Sequence, residues 1–150
     1  MVFTVLAALL SLVQLAPAPK HLSLVATTSA AVVARGSAVQ LWLDVTPKPG
    51  IHVYAPGAKD YLPIALVIDP RPGVTAGPIK YPKSETMLFE GEKVPVYEKP
   101  FRLVDEITLA RSLKADTLTL TGTVKYQACD DRVCFIPASI PVGWTIALRK

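Results

Sequence analysis

The chain has 150 residues, enough for one domain with an ordinary buried core. It is 51% hydrophobic and 19% charged, which excludes a disordered chain. The formal charge of +4 is spread over dispersed lysines and arginines, with no basic run and no interleaved aromatics, so a nucleic-acid partner is not expected.

The chain opens on Val2 to Leu15, an uncharged apolar run followed by Ala16-Pro17-Ala18. The run is short for a membrane span and ends in small residues, so residues 1–18 read as an export signal and residues 19–150 as the mature domain. No basic residue precedes the run, and Pro19 follows the exit directly. Export takes the chain to an oxidising compartment, where two nearby cysteines are expected to be able to form a disulfide.

Beyond residue 20 the apolar period is mostly two, that of half-buried strands. Val39, Leu41, Leu43 and Val45 alternate with Gln40, Trp42 and Asp44 until Pro47-Lys48-Pro49-Gly50 ends the run. Ile51 to Tyr54 is a short extended piece closed by Pro56-Gly57, and Pro63 to Asp69 reads as a more buried strand. Val74 to Tyr81 and Tyr97 to Leu109 supply further strand-like stretches. Between them Pro82 to Pro95 is polar, holds the apolar island Met87-Leu88-Phe89, and reads as a long loop. Phe89 is expected either in a functional loop or tucked into the core. Leu118, Leu120, Val124 and Tyr126 alternate with threonines and Lys125, and Ile140 to Leu148 forms the last strand, with Tyr126 and Trp144 expected in the core. Fourteen prolines suit edges and turns and oppose long helices. About seven short strands and no amphipathic helix predict an all-β, immunoglobulin-like β-sandwich.

The chemistry lies in Tyr126-Gln127-Ala128-Cys129-Asp130-Asp131-Arg132-Val133-Cys134-Phe135-Ile136-Pro137. Alternation turns Val124 and Tyr126 inward, so Cys129 is expected to face outward or to end its strand. The polar Asp130-Asp131-Arg132 stretch turns the chain back, and such a hairpin can bring two Cα atoms within the roughly 4.4–6.8 Å of a disulfide. Closing so short a loop stabilises by about 2 kcal/mol, against about 5 kcal/mol for a loop of a hundred residues. A bridge of that kind is cheap to open, which suits redox exchange, although the spacing alone leaves a static bridge equally open. Asp130 and Asp131 disfavour a thiolate and Arg132 favours one. There is no Cys-x-x-Cys at a helix start, hence no thioredoxin fold.

His21 and His52 are the only histidines. No His, Cys and carboxylate cluster has zinc-ligand spacing, no Ser/His/Asp arrangement or phosphate-binding glycine loop stands out, and no cofactor is expected. Besides redox exchange, two other readings are open: an exported binding module with a static disulfide, and a Cu(I)-handling protein using the thiols with Met87 or His52.

From about Trp42 to Trp144 the sequence resembles the N-terminal periplasmic domain of the thiol:disulfide interchange protein DsbD. The resemblance rests on Tyr126-Gln127-Ala128-Cys129 with Cys134 and Pro137, on Ile51-His52-Val53-Tyr54-Ala55-Pro56, on Asp60-Tyr61-Leu62-Pro63, and on the segment ending in Val96-Tyr97. Four residues separate the cysteines here, where the best-known members have five. The resemblance implies an immunoglobulin-like sandwich and a periplasmic location. It makes Cys129 and Cys134 the exchanging pair, fed by a membrane-embedded thiol conductor or a thioredoxin-like protein and discharged to oxidised periplasmic thioredoxin-like clients, including cytochrome c maturation factors. By the same resemblance Phe89 is the aromatic of a cap loop shielding the disulfide, Tyr54 lines the site, and His52 stands where some members carry another aromatic. The chain is then a standalone version or a piece of a longer gene.

Overall fold

The alternating runs become strands throughout the computed structural model, which describes residues 19–150; the apolar run at residues 1–18 lies outside the described residues. In chain order the strands are β1 (Leu22–Thr28), β2 (Val32–Ala34), β3 (Ala38–Pro47), β4 (His52–Tyr54), β5 (Ala65–Ile68), β6 (Val74–Ala76), β7 (Glu85–Phe89), β8 (Glu92–Tyr97), β9 (Phe101–Leu109), β10 (Thr117–Tyr126), β11 (Ala128–Cys129) and β12 (Ala138–Arg149). Among the described residues no helix is long and apolar enough to cross a membrane.

Two four-stranded sheets, ordered β1-β3-β9-β6 and β2-β12-β10-β5, form the sandwich. Their inward positions share one apolar cluster. Leu41, Leu43 and Val45 of β3 and Leu103 and Ile107 of β9 meet Leu120, Val124 and Tyr126 of β10 and Trp144 and Ile146 of β12. Period-two alternation puts every second residue on that face, and each such aliphatic side chain stabilises the fold by about 1.5–3 kcal/mol. Trp144 also satisfies its indole N–H across the core, donating to the Trp42 carbonyl at 3.0 Å. The predicted immunoglobulin-like, all-β sandwich is the fold.

A third sheet, ordered β11-β4-β8-β7, was not foreseen. Residues 82–95, expected as a long loop, are mostly this sheet's hairpin. β7 and β8 pair from Glu85↔Val96 to Phe89↔Glu92, and the turn is Glu90-Gly91. Both turn residues have positive φ, 48° and 85°, the conformation that lets a two-residue hairpin follow the strand twist. Two other boundaries differ from expectation. Lys99-Pro100 breaks the 97–109 run between β8 and β9, and the piece expected as a more buried strand is a short edge, β5, with Val67 exposed.

The third sheet has a simple origin. β10 ends at Tyr126, and after Gln127 the chain leaves β12 and pairs with β4 instead, Ala128 opposite Val53 and Cys129 opposite His52. Ala128 and Val53 face the main core, while Cys129 and Tyr54 face a second, smaller cluster with Val94 and Val96 of β8. All three residues of β4 are therefore buried, because the strand has apolar material on both faces.

Candidate redox site

The hairpin between Cys129 and Cys134 is built by one aspartate. Asp130 Oδ1 accepts the backbone N–H groups of Arg132 and Val133, each at 2.8 Å, and the Asp130 N–H donates to the Val133 carbonyl at 2.9 Å. Aspartate favours such turns because its short carboxylate reaches the backbone two and three residues on. Those N–H groups, Val133 first and then Arg132, hold the Asp130 carboxyl below the usual carboxylate range. Beyond the turn the Phe135 N–H returns to the Ala128 carbonyl at 2.8 Å, so Cys129 and Cys134 face each other as an antiparallel pair. They are bonded as a disulfide with their Cα atoms 4.0 Å apart.

The two sulfurs sit in different environments. Cys129 is 1% exposed, whereas Cys134 is exposed to solvent. Of the two placements expected for Cys129, the end of a strand holds, since it closes β11, and outward exposure does not. The parity holds, since Cys129 does point away from the main core. The face it points to is covered by β4 and the β7–β8 hairpin, which no pattern within β10 reveals.

Above the bond lies an open groove of about 650 Å³, lined by both cysteines, His52, Tyr54, Tyr61, Met87, Phe89 and the hairpin residues 130–133. Tyr54 is central to it. Its hydroxyl lies 3.4 Å from Cys129 Sγ and 3.5 Å from Cys134 Sγ. A disulfide sulfur carries no proton, so the phenol's single O–H is the donor, shared between the two sulfurs. Burial, helped by Tyr61, pushes the Tyr54 phenol above its ordinary value and keeps that proton in place at neutral pH. Tyr61 stacks on Tyr54 with ring centroids 4.1 Å apart, and Phe89 meets Tyr61 edge-on at 6.4 Å. Phe89 is 47% exposed, so it is not a core residue; it stands at the groove's rim beside the exposed Leu88. His52 is buried, edge-on to Tyr54 at 5.5 Å, and its Nε2 has no hydrogen-bond partner. Burial is the main influence on its imidazole and lowers its pKa, against the opposing pull of Glu98 and Asp130.

Cys129, Cys134, Phe89, Tyr54 and His52, far apart in sequence, thus line one groove. Sequence reasoning assigned Tyr61 no role of its own in the site and offered Met87 only as a candidate copper ligand. Tyr61 follows the Pro56-Gly57 turn and Asp60, whose φ of 61° folds the segment back over β4. That turn chemistry was the available signal. For a soft metal, Met87 and His52 do line the groove with the sulfurs, yet among the described residues no group of three or more His, Cys, Asp or Glu side chains is placed to hold an ion.

Two solved structures are similar to this chain. The N-terminal periplasmic domain of ScsB from Proteus mirabilis matches with a TM-score of 0.55 and 17% identity, over 83% of this chain and 47% of that one. The chain thus spans about half the length of that domain, with which it shares a fold. The N-terminal domain of Neisseria meningitidis DsbD in the reduced form matches with a TM-score of 0.45 and 17% identity, over 80% of this chain and 82% of that one. No curated protein matches. A disulfide across a hairpin, under a groove of aromatic side chains, lies within residues 21–141, which match the family described as Thiol:disulfide interchange protein DsbD, N-terminal; the chain belongs to that family.

Proposed function

We propose that this is an exported, periplasmic thiol–disulfide exchange domain, a protein-disulfide reductase module that relays electrons through Cys129 and Cys134. The observation that carries the reading is the unequal exposure of the bonded cysteines, Cys129 buried and Cys134 exposed beside the groove. A thiolate attacks a disulfide along a clear approach to one sulfur. A donor thiolate, from a membrane-embedded conductor or a thioredoxin-like protein, forms a mixed disulfide with Cys134 and expels Cys129 as a thiolate beside the Tyr54 hydroxyl. The reduced pair then passes two electrons to an oxidised, thioredoxin-like client by the reverse steps, again through Cys134. Phe89, on the exposed end of the β7–β8 hairpin, caps the groove, and Tyr54 and His52 line its floor.

Trapping tests the reading. A Cys129→Ser variant leaves the exposed Cys134 thiol without its resolving partner and is expected to accumulate a mixed disulfide with a thioredoxin-like protein. Cys134→Ser, with only the buried thiol, is expected to trap far less. If neither variant captures such a partner, and the native disulfide resists millimolar dithiothreitol, the bridge is static and the relay is wrong.

A further inference from the structure

We infer that the His52 imidazole is the base that takes the proton of the Cys129 thiol when Cys129 closes the disulfide and releases a client. The inference rests on the exchange reading above and names the group that completes it.

The need arises from burial. Cys134 is exposed and can ionise against solvent, but Cys129 is buried, and burial away from water disfavours a thiolate. The thiolate is the nucleophile, so closing the bond requires somewhere for that proton to go. His52 is placed to receive it. It lies directly opposite Cys129 in the β4–β11 ladder, which puts the two Cβ atoms about 5 Å apart on one face of the sheet. Its Nε2 is buried and without a hydrogen-bond partner while Cys129 is disulfide-bonded and has no proton to donate, which leaves that nitrogen free to take a donor once the bond opens. Burial dominates its titration and favours the neutral imidazole, the form that accepts a proton.

The other groups around Cys129 fit the task poorly. Tyr54, on the same strand as His52, holds its own proton and acts as a donor. Asp130, on the hairpin, has its Oδ1 engaged with two backbone N–H groups. Glu98, just past β8, is exposed. The carboxylates of Glu98 and Asp130 stabilise the imidazolium once it forms.

The steps balance. The Cys134 thiolate attacks a client disulfide, a Cys134–client bond forms, and the client's other sulfur leaves with the electron pair. His52 Nε2 then takes the Cys129 proton, and the Cys129 sulfur attacks Cys134 Sγ. The Cys129–Cys134 bond forms, the Cys134–client bond breaks, and the second client sulfur leaves as a thiolate. The client gains two electrons and the pair loses two. The imidazole gains one proton and returns it to the departing thiolate or to water.

Stopped-flow mixing of the reduced full chain with excess dithiobis(nitrobenzoate) separates the two steps. A first, bimolecular burst of nitrothiobenzoate reports attack by Cys134, and a second, unimolecular burst reports closure by Cys129. In the unaltered protein the second phase is expected to level off above about pH 7, instead of climbing tenfold per pH unit into the thiol range near 8.5. His52→Phe and His52→Gln are both expected to slow that phase about 100-fold at pH 7 and to restore the climb, with the first phase within about threefold. The inference is overturned if the unaltered protein already shows the full climb, or if both variants close within about threefold of its rate. If no first phase appears at all, the exchange reading falls, and this inference with it.

Discussion

The main sandwich and the small third sheet are built from separate sets of strands and do different work. In the sandwich, alternation runs unbroken along β3, β9, β10 and β12, and nearly every inward position is a buried aliphatic or aromatic residue. The smaller cluster contains only Tyr54, Val94, Val96 and Cys129, with partly buried Ala58, Tyr61 and Met87 around it. Its outer strand, β7, exposes Leu88 and Phe89. Cohesion therefore resides in the first region and accessible chemistry in the second. A rigid scaffold that carries a lightly packed site can lose or alter the site without unfolding.

Two substitutions test this division at its extremes. Trp144→Ala removes a buried indole and its cross-core hydrogen bond, and is expected to cost about 3–5 kcal/mol in urea unfolding. Replacing Cys129 and Cys134 together with alanine opens a loop spanning only five positions of sequence, and is expected to cost about 2 kcal/mol. A loss near 5 kcal/mol from the cysteine pair would show that the bridge staples more than its own hairpin, and the division would fail.

The same contrast explains what the sequence disclosed. The sandwich was legible because β3, β10 and β12 are long and alternate strictly, so that Leu41, Leu120 and Trp144 declare their face. The bonded cysteines were legible from Asp130 and the turn it makes. The third sheet was not, because its strands are short and its pairings lie far apart in the chain. β4 has three residues, all buried, and so no alternation to read; β11 has two. Cys129 was expected to face outward or to end its strand because its parity is opposite to that of Tyr126; it does end β11, but nothing local signals that His52, Tyr54 and the β7–β8 hairpin cover the face it points to. The Glu90-Gly91 turn carried only its glycine as a hairpin signal, since glutamate is not a residue expected at positive φ.

A smaller effect concerns Asp105, a carboxylic acid buried in the sandwich. Asp105 is fully buried on β9, with Oδ1 accepting the Gly77 N–H at 2.9 Å and Oδ2 unpartnered. Burial pushes its carboxyl above the usual range, against the opposing pull of Gly77 and Lys80. A carboxyl raised in the folded state favours folding in its protonated form. That contribution is complete below the ordinary aspartate value near pH 4 and is lost as pH rises through the folded value. Asp105→Asn keeps the shape without the charge, so it is expected to stabilise the domain at pH 7 by about 1 kcal/mol. The gain should vanish below about pH 4 in thermal melts run across that range. A gain independent of pH would mean that shape, and not charge, sets the cost.

The smallest effect on stability is expected where the effect on exchange is plain. Tyr54→Phe keeps the ring stacked on Tyr61 and removes only the hydroxyl that points at the two sulfurs. A disulfide sulfur is a weak acceptor, so the unfolding free energy should change by about 0.5 kcal/mol or less. When the bond opens, however, Cys129 becomes a thiolate beside that hydroxyl, and a hydrogen bond to a charged acceptor is roughly twice as strong as a neutral one. Reduction of the folded protein by dithiothreitol is therefore expected to slow by about tenfold. Stability unchanged with exchange slowed would locate the hydroxyl's contribution in the opening of the bond. An equal rate in the variant would reduce Tyr54 to a packing residue, and the third sheet would keep its exposed sulfur without a tuned environment around it.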